Sequence, residues 1–344
     1  MQVDRYHQLR VKRVVAETSD AVSLVFDVPE SLRDAYRYRA GQFVTLRVDI
    51  DGEPYYRSYS MSSTPTLDAD LQVTVKRVPG GVVSNWIPDT IHDGDVLDVS
   101  VPAGVFTLHD VDADDVVAFA GGSGITPVFS LIKQTLHTTS RRVRLLFANR
   151  DRSAAIFGDE LDALAVQFGD RFLLQHREDV VDGFVDPAAV KALLDGCEGG
   201  SFYICGPPPF MDIVETTLLD LGLDGGRIVI ERFLPTHEEP PAADGADTDS
   251  AAEAIQVTMT VRNQTKTVDQ RAGATILQSA RWAGLPAPSS CEAGHCATCM
   301  AMLVEGQVEM AVNDVLTDEE VAEGWVLTCQ AVPVSPVVRV VYEP

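Results

Sequence analysis

The chain has 344 residues, and its 45% hydrophobic and 23% charged content excludes global disorder and allows two or three domains. Its 51 acidic against 27 basic residues give a net charge of −24, which argues against binding to nucleic acid or to anionic membranes. Because no apolar run reaches roughly 18 residues and the start Met1–Gln8 is polar, we expect a cytoplasmic protein without a membrane span.

Residues 1–108 carry short β-patterned runs that are separated by Gly, Pro and Asp turns. The runs are Val22–Val28, Phe43–Val48, Leu71–Val78 and Val96–Val99. Many short strands with such turns predict an antiparallel β-barrel or sandwich as the first domain.

Two motifs in this first domain suit a phosphate-bearing ligand. In the first, strand alternation places Arg57 and Tyr59 on one face and Ser58 and Ser60 on the other. A guanidinium binds pyrophosphate well and a phenol ring stacks on flat ligands, although a surface arginine and a core tyrosine explain this motif better when it stands alone. In the second motif, glycines allow close approach to a phosphate, and a helix starting near Ser84 would point N–H groups at it. Its residues are Val75, Lys76, Gly81, Val82, Val83 and Ser84.

From Val116 onward, strands and helices alternate, which predicts a parallel α/β sheet over residues 109–234. The predicted strands are Val116–Ala120, Arg142–Ala148, Phe172–Gln175, Phe202–Cys205 and Ile228–Phe233. The predicted helices are Pro127–Leu136, Glu160–Phe168, Pro187–Leu194 and Pro209–Leu221.

Two turns of this second domain predict a nucleotide site, because ligands of open α/β sheets bind at the carboxyl ends of the strands. The first turn joins a strand to a helix through Gly122, Ser123, Gly124, Ile125 and Thr126. Pro127 stands where a dinucleotide fingerprint has its third glycine, and proline is tolerated at the start of a helix. The second turn is Cys205, Gly206 and Pro207.

Residues 235–254 contain six acids, no lysine or arginine and almost no large apolar residue, so we predict a flexible linker. The acidity of the chain fits either a solubility requirement or docking of a basic partner. Beyond the linker, residues 255–344 predict a hairpin (Ile255–Val261 with Thr265–Asp269), a helix (Ile276–Ala283) and a last strand (Val337–Tyr342).

Four cysteines of this last domain follow the spacing of a plant-type 2Fe–2S site. They are Cys291, Cys296, Cys299 and Cys329. Zinc usually takes two paired C-x2-C arms, whereas this sequence has a single one, Cys296–Cys299. We therefore predict that these four thiolates are the iron ligands and that His295, inside the loop, is not one.

Arg57–Ser60 followed by Gly80–Ser84 resembles the FAD-binding barrel of the ferredoxin–NADP reductase superfamily, and Ala40–Phe43 is similar to the family's strand opening. The order of FAD barrel, NAD(P) domain, linker and C-terminal ferredoxin covers the whole chain. It resembles the reductase components of multicomponent oxygenases, in the branch with the 3-ketosteroid 9α-hydroxylase and phenylacetyl-CoA epoxidase reductases. One departure is Ala297, where the family usually has glycine.

This resemblance implies a multidomain fold: an antiparallel β-barrel for FAD, a parallel α/β NAD(P) domain and an α+β β-grasp ferredoxin. It implies that Arg57 and the turn at 81–84 hold the FAD pyrophosphate and that Tyr59 stacks on the flavin. Ser60 and Thr126 would orient flavin and nicotinamide, Cys205 would flank the nicotinamide, and Phe233 would lie near the flavin.

Asn149 and Arg150 follow the second strand of the NAD(P) domain, where the adenosine ribose is expected. Arg150 and Arg152 would favour a 2′-phosphate and thus NADPH, whereas Asp151 would repel it. The residues leave this choice open, with a slight preference for NADH.

The implied function is NAD(P)H-dependent electron transfer through FAD and a 2Fe–2S cluster to a terminal oxygenase or hydroxylase, by a monomeric reductase. The alternative is a redox sensor or interaction module in which flavin and cluster act as switches without significant turnover. The motifs for hydride delivery favour the reductase.

Overall fold

The computed structural model describes residues 6–231 and 255–342, apart from 105, 109–114, 195, 198, 262–263, 272, 286, 289–293, 295–296, 298 and 314. The chain forms two compact units, Met1–Phe233 and Leu234–Pro344. The predicted linker at 235–254 lies outside the described residues. Among the helices described, none combines the length and apolar character needed to cross a membrane.

The first unit begins with a six-stranded antiparallel sheet in the order β4-β3-β6-β1-β2-β5. The strands are β1 (Tyr6–Thr18), β2 (Ala21–Asp27), β3 (Phe43–Ile50), β4 (Glu53–Ser60), β5 (Leu71–Lys76) and β6 (Val96–Ser100). A bridge between Met61, just after β4, and Val73 in β5 joins the two edge strands and closes the sheet into a barrel. Helix α1 (Val82–Thr90) connects β5 to β6.

Alternating side chains of these strands fill the barrel, with Leu9, Leu24, Val44, Leu46 and Val73 all fully buried. Strand β1 was not predicted from the sequence. Its 13 residues are mostly exposed and place few side chains in the core. The hydrophobic alternation is therefore too weak to predict a strand.

The rest of the first unit is a five-stranded parallel sheet in the order β11-β10-β7-β8-β9. Its strands are β7 (Val116–Gly121), β8 (Val143–Asn149), β9 (Phe172–Glu178), β10 (Ser201–Cys205) and β11 (Ile228–Glu231). Its helices are α2 (Ile125–Thr138), α3 (Gly158–Phe168), α4 (Asp179–Asp182), α5 (Pro187–Leu193) and α6 (Pro208–Asp220). Because the strand order reverses between β7 and β10, a crevice opens at their carboxyl ends.

Helix α2 and the loop after β4 connect the barrel to the parallel sheet. Ser130 of α2 donates its hydroxyl to the Ser63 carbonyl at 2.6 Å, and Lys133 pairs with Asp68 at 2.6 Å. The Ser130 carbonyl accepts from the Thr64 hydroxyl at 3.3 Å. These contacts join the helix that starts at the glycine turn to the loop that starts just after Ser60.

The second unit is an α+β fold with a five-stranded mixed sheet in the order β13-β12-β18-β14-β16 and a separate pair, β15-β17. The strands are β12 (Gln256–Val261), β13 (Gln264–Asp269), β14 (Met300–Glu305), β15 (Val308–Met310), β16 (Trp325–Leu327), β17 (Ala331–Pro333) and β18 (Val337–Val341). The helices are α7 (Ile276–Trp282) and α8 (Asp318–Glu323). The predicted fold class is confirmed.

Helix α8 was not predicted, although its boundaries have local causes. Thr317 and Glu320 form a reciprocal capping box at the start of the helix, and Gly324 ends it in the left-handed conformation. None of the helix's own residues is buried, so it lacks the apolar periodicity on which a prediction depends.

Candidate functional site

Ser60, at the end of β4, carries a buried hydroxyl group that is suited to binding a ligand. The residue is 2% exposed, and its Oγ has no hydrogen-bond partner among the described residues. A buried polar group without a partner costs about 1–3 kcal/mol, so an orphaned hydroxyl marks a place where a bound group completes the bonding. Ser58 differs, because its Oγ lies 2.9 Å from Thr45 Oγ1 inside the barrel wall.

Arg57 and Tyr59 share one face of β4, as strand alternation predicts. The Arg57 guanidinium carbon lies 6.0 Å from the centre of the Tyr55 ring, and burial lowers the pKa of Arg57 from its usual value. Burial also raises the pKa of the Tyr59 phenol, which keeps that group neutral. A half-buried guanidinium beside a neutral ring suits a ligand that carries both a phosphate and a flat ring system.

Side-chain hydrogen bonds hold the turn before α1 and leave the first backbone N–H groups of that helix available. Ser84 Oγ accepts from the Val78 N–H at 3.2 Å, and Asn85 donates to the carbonyls of Val78 and Gly81 at 2.8 and 2.5 Å. No described side chain caps α1 at Gly81, so its first N–H groups remain available to an anion. Sequence reasoning missed Asn85, whose signal was an amide side chain in the first turn of the helix that follows the glycines.

Val75 and Val83 are 0% and 1% exposed in the barrel core, so only their backbone can face a ligand. Val82 stands at the first position of α1, where its N–H belongs to the exposed set.

Lys76 ends β5 and reaches the glycine turn of the other domain. A Cβ built on Gly122 would lie 3.9 Å from Lys76 Nζ. The Lys76 side chain is 21% exposed and lies 3.8 Å from an Asp20 oxygen. The cation that the sequence assigned to the flavin side thus faces the nucleotide turn as well.

The turn between β7 and α2 packs directly against the end of β10. A Cβ on Gly124 would lie 2.1 Å from the Cys205 carbonyl oxygen, so only glycine fits there. No described side chain caps the Gly122–Gly124 turn or α2, which leaves the first N–H groups of this turn available to an anion. Ile125 is fully buried, whereas the Thr126 hydroxyl donates to the Ser123 carbonyl at 3.1 Å and keeps its acceptor capacity.

Cys205 borders the same crevice from β10. Burial, with a smaller effect of the Glu231 carboxylate, raises the pKa of its thiol well above the usual value, so the sulfur remains protonated. Gly206 and Pro207 follow, and a Cβ on Gly121 would lie 2.8 Å from Pro207 Cδ. The predicted residues of the two turns therefore meet at one place, and Phe233 lies outside the described residues.

The end of β8 carries a side-chain amide whose oxygen lacks a described partner, and two paired arginines follow it. Asn149 is 6% exposed, and its Oδ1 has no hydrogen-bond partner among the described residues. Arg150 donates to Asp151 at 2.8 Å. Arg152 contacts Asp162 and also binds His176 at 2.8 Å and Asp159 at 3.3 Å. Both arginines thus already have carboxylate partners.

In the second unit, Cys299 and Cys329 are 2% and 7% exposed, within an apolar wall of Leu316, Trp325 and Leu327. The Gln330 side-chain amide donates to Cys329 Sγ at 3.7 Å, a contact that favours a thiolate. Cys291, Cys296 and His295 lie outside the described residues. The two described cysteines fit a sheltered sulfur-ligated cluster.

Ala297 has a backbone φ of +55°, in the left-handed region that favours glycine. The residue is 7% exposed and packs in the same apolar group as Cys299 and Cys329. The departure from the family's glycine thus falls at a position where alanine is strained by roughly 1–2 kcal/mol.

Replacing Lys76 by methionine is expected to lower kcat/KM for the reduced dinucleotide about tenfold, mainly through KM. The substitution removes the cation beside Gly122 while keeping the length of the side chain. Steady-state reduction of ferricyanide by NADH measures the effect. Lys12→Met is the control, because Lys12 pairs with Asp70 on the barrel surface at 2.8 Å. An equal loss in both variants would contradict the role of Lys76.

Three family models match the chain: an oxidoreductase FAD-binding domain over residues 8–108, an oxidoreductase NAD-binding domain over 119–216 and a 2Fe–2S iron–sulfur cluster binding domain over 259–334. These matches agree with the donor groups found for the flavin, the dinucleotide and the cluster. The predicted cofactor classes are confirmed.

The chain is 40% identical to the ferredoxin reductase component of 3-ketosteroid-9-alpha-monooxygenase from Mycolicibacterium smegmatis, over 98% of this chain and 97% of that protein. It is 32% identical to one of the subunits of 1,2-phenylacetyl-CoA epoxidase from Escherichia coli, over 96% of each. The solved structure of phthalate dioxygenase reductase shares the fold, with a TM-score of 0.61 at 24% identity and 98% coverage of both chains. The chain belongs to the family of FAD- and NAD-binding oxidoreductases with a C-terminal 2Fe–2S domain that includes the reductase components of such monooxygenases.

Proposed function

We propose that this chain is the reductase component of an oxygenase system and passes electrons from NADH, through FAD and a 2Fe–2S cluster, to a separate terminal oxygenase. The observation that carries the proposal is the crevice of the first unit, where the uncapped glycine turn at Gly122 lies beside Lys76 of the flavin barrel. The relatives are named as components of a 3-ketosteroid monooxygenase, a glycine betaine monooxygenase and a phenylacetyl-CoA epoxidase, which supports a terminal oxygenase as the acceptor of this chain.

FAD, when bound, exchanges electron pairs with a nicotinamide and single electrons with an iron–sulfur cluster. The chain's own residues would hold and shield it. Arg57 and the α1 amides would bind its pyrophosphate, Tyr59 would cover the ring, and the Ser60 hydroxyl would hydrogen-bond its edge.

The Gly122–Gly124 turn would bind the dinucleotide phosphates, and Thr126, Cys205 and Phe233 would border the nicotinamide. Because the Cys205 thiol stays neutral, it adds no charge beside the reacting ring. The four cysteines at 291, 296, 299 and 329 would ligate the cluster. In this proposal the boundaries are 1–108, 109–234, 235–254 and 255–344, and the protein acts as a cytoplasmic monomer.

The proposal is tested on the purified protein by its absorption spectrum and by reduction of ferricyanide and cytochrome c with NADH and with NADPH. We expect flavin and iron–sulfur bands, fast turnover and a preference for NADH, because Arg150 and Arg152 are already paired. A protein without these bands would refute the assignment. Full cofactor content without turnover would instead support the sensor.

A further inference from the structure

The hairpin that joins β1 to β2 of the flavin barrel carries two acids, Glu17 and Asp20, at its tip. Thr18 Oγ1 donates to Asp20 Oδ1 at 2.7 Å, which orients the carboxylate. The Asp20 carbonyl accepts from the Arg77 N–H at 2.8 Å, which anchors the tip to the end of β5. The acidic tip is therefore held in place by the barrel itself.

This tip lies beside Lys76, which reaches the glycine turn of the parallel sheet. Asp20 Oδ2 lies 3.8 Å from Lys76 Nζ, and Lys76 in turn faces Gly122. The pKa of Arg150 is raised mainly by its hydrogen bond to Asp151, and Asp20 adds to this effect from the barrel. Likewise, the pKa of Glu17 is raised mainly by burial, and the charge of Glu160 in α3 adds to it. The hairpin thus adds negative charge beside Gly122 and within electrostatic reach of Arg150, around the region expected to receive the dinucleotide.

Three cations lie around this region, and each has a carboxylate partner among the described residues. Lys76 pairs with Asp20, Arg150 with Asp151, and Arg152 with Asp159 and Asp162. A 2′-phosphate, with a charge near −2, would meet cations that are already neutralised and also the carboxylates themselves. A free 2′-hydroxyl meets no such penalty.

We infer that Asp20, on the β1–β2 hairpin of the flavin barrel, is a specificity-determining residue that disfavours a 2′-phosphorylated dinucleotide. The flavin domain thereby contributes to dinucleotide selection by neutralising Lys76 and by adding charge opposite Arg150. This inference rests on the proposed function, because it presumes that the crevice receives a dinucleotide.

The test measures binding of 2′,5′-ADP and of 5′-AMP to the full-length protein by calorimetry, in wild type and in Asp20→Asn. Binding does not depend on turnover. We expect the variant to bind 2′,5′-ADP about tenfold more tightly and 5′-AMP at most threefold more tightly, with the gain shrinking at 0.5 M salt. Asp20→Glu should restore the wild-type ratio of the two affinities.

The matched control is Asp70→Asn, which removes a barrel carboxylate that pairs with Lys12 away from the crevice. It should leave both affinities unchanged. The inference is overturned if Asp20→Asn alters neither affinity, or alters both by the same factor. If the shift occurs but neither NADH nor NADPH supports turnover, the proposed function fails while the role of Asp20 stands.

Discussion

Cys299→Ser is expected to remove the iron–sulfur cluster and to lower NADH-driven cytochrome c reduction by at least roughly 100-fold, since a serine oxygen is a poor substitute for a thiolate ligand. Cys299 is 2% exposed, and its backbone carbonyl accepts from the Thr328 hydroxyl at 2.8 Å. Because serine keeps this backbone contact, the substitution changes only the sulfur atom. Ferricyanide reduction should persist, because the flavin and dinucleotide sites belong to the other compact unit. Iron content and the visible spectrum measure the loss directly.

Cys197→Ser is the matched control for this variant. Cys197 is also 2% exposed, but it lies in the NAD-binding part of the chain, with its sulfur 3.6 Å from an Asp115 oxygen. We expect it to keep its full iron content. Equal iron loss in the two variants, or an intact cluster in Cys299→Ser, would show that the four-cysteine assignment is wrong.

Gly124→Ala is expected to abolish productive dinucleotide binding, with kcat/KM for NADH falling by roughly 100-fold. The added Cβ would lie 2.1 Å from the Cys205 carbonyl oxygen and 2.6 Å from the Gly206 nitrogen. Both contacts are to backbone, so the turn itself must move, at a cost of about 1–3 kcal/mol or more in the free energy of unfolding. Stopped-flow reduction by NADH and thermal unfolding measure the two effects.

Gly225→Ala is the control in the same domain, because its Cβ would meet only Leu219 Cδ2, at 3.8 Å. It should change neither stability nor turnover appreciably. The cluster bands should also survive in Gly124→Ala, since Cys299 and Cys329 lie in the second unit. Wild-type NADH reduction by Gly124→Ala would refute the close packing of the Gly124 turn against Cys205.

The residues that sequence reasoning found first are those whose chemistry depends on close spacing in the chain. Cys291, Cys296 and Cys299 lie within nine residues. A strand followed by a glycine turn and a helix predicts an anion site without knowledge of the neighbours. Helix α2 was predicted from Pro127 and in fact begins at Ile125, because two more residues of the turn adopt helical conformation.

Other features depend on charges and contacts that are distant in sequence. Arg150 and Arg152 left the choice of dinucleotide open. Arg150 pairs with its neighbour Asp151, whereas the partners of Arg152 are Asp159 and Asp162 of α3 and His176 of β9. No pattern in the sequence indicated a role for the hairpin residue Asp20. Only folding brings it to Lys76, 56 positions later in the chain.

The sequence by itself thus indicated an antiparallel β domain, a parallel α/β domain and a 2Fe–2S site, because hydrophobic periodicity and cysteine spacing are local properties of the chain. The assignment of FAD and the β-grasp class followed from the resemblance of its motifs to a known family. The tertiary structure alone decided that the Ser60 hydroxyl and the Asn149 side-chain oxygen have no partner within the described part of the chain, and that Gly124 admits no side chain. It also decided that Lys76 of the barrel lies beside Gly122 of the parallel sheet. These properties depend on neighbours that separate strands contribute, because burial and electrostatic balance are set only when those strands pack together.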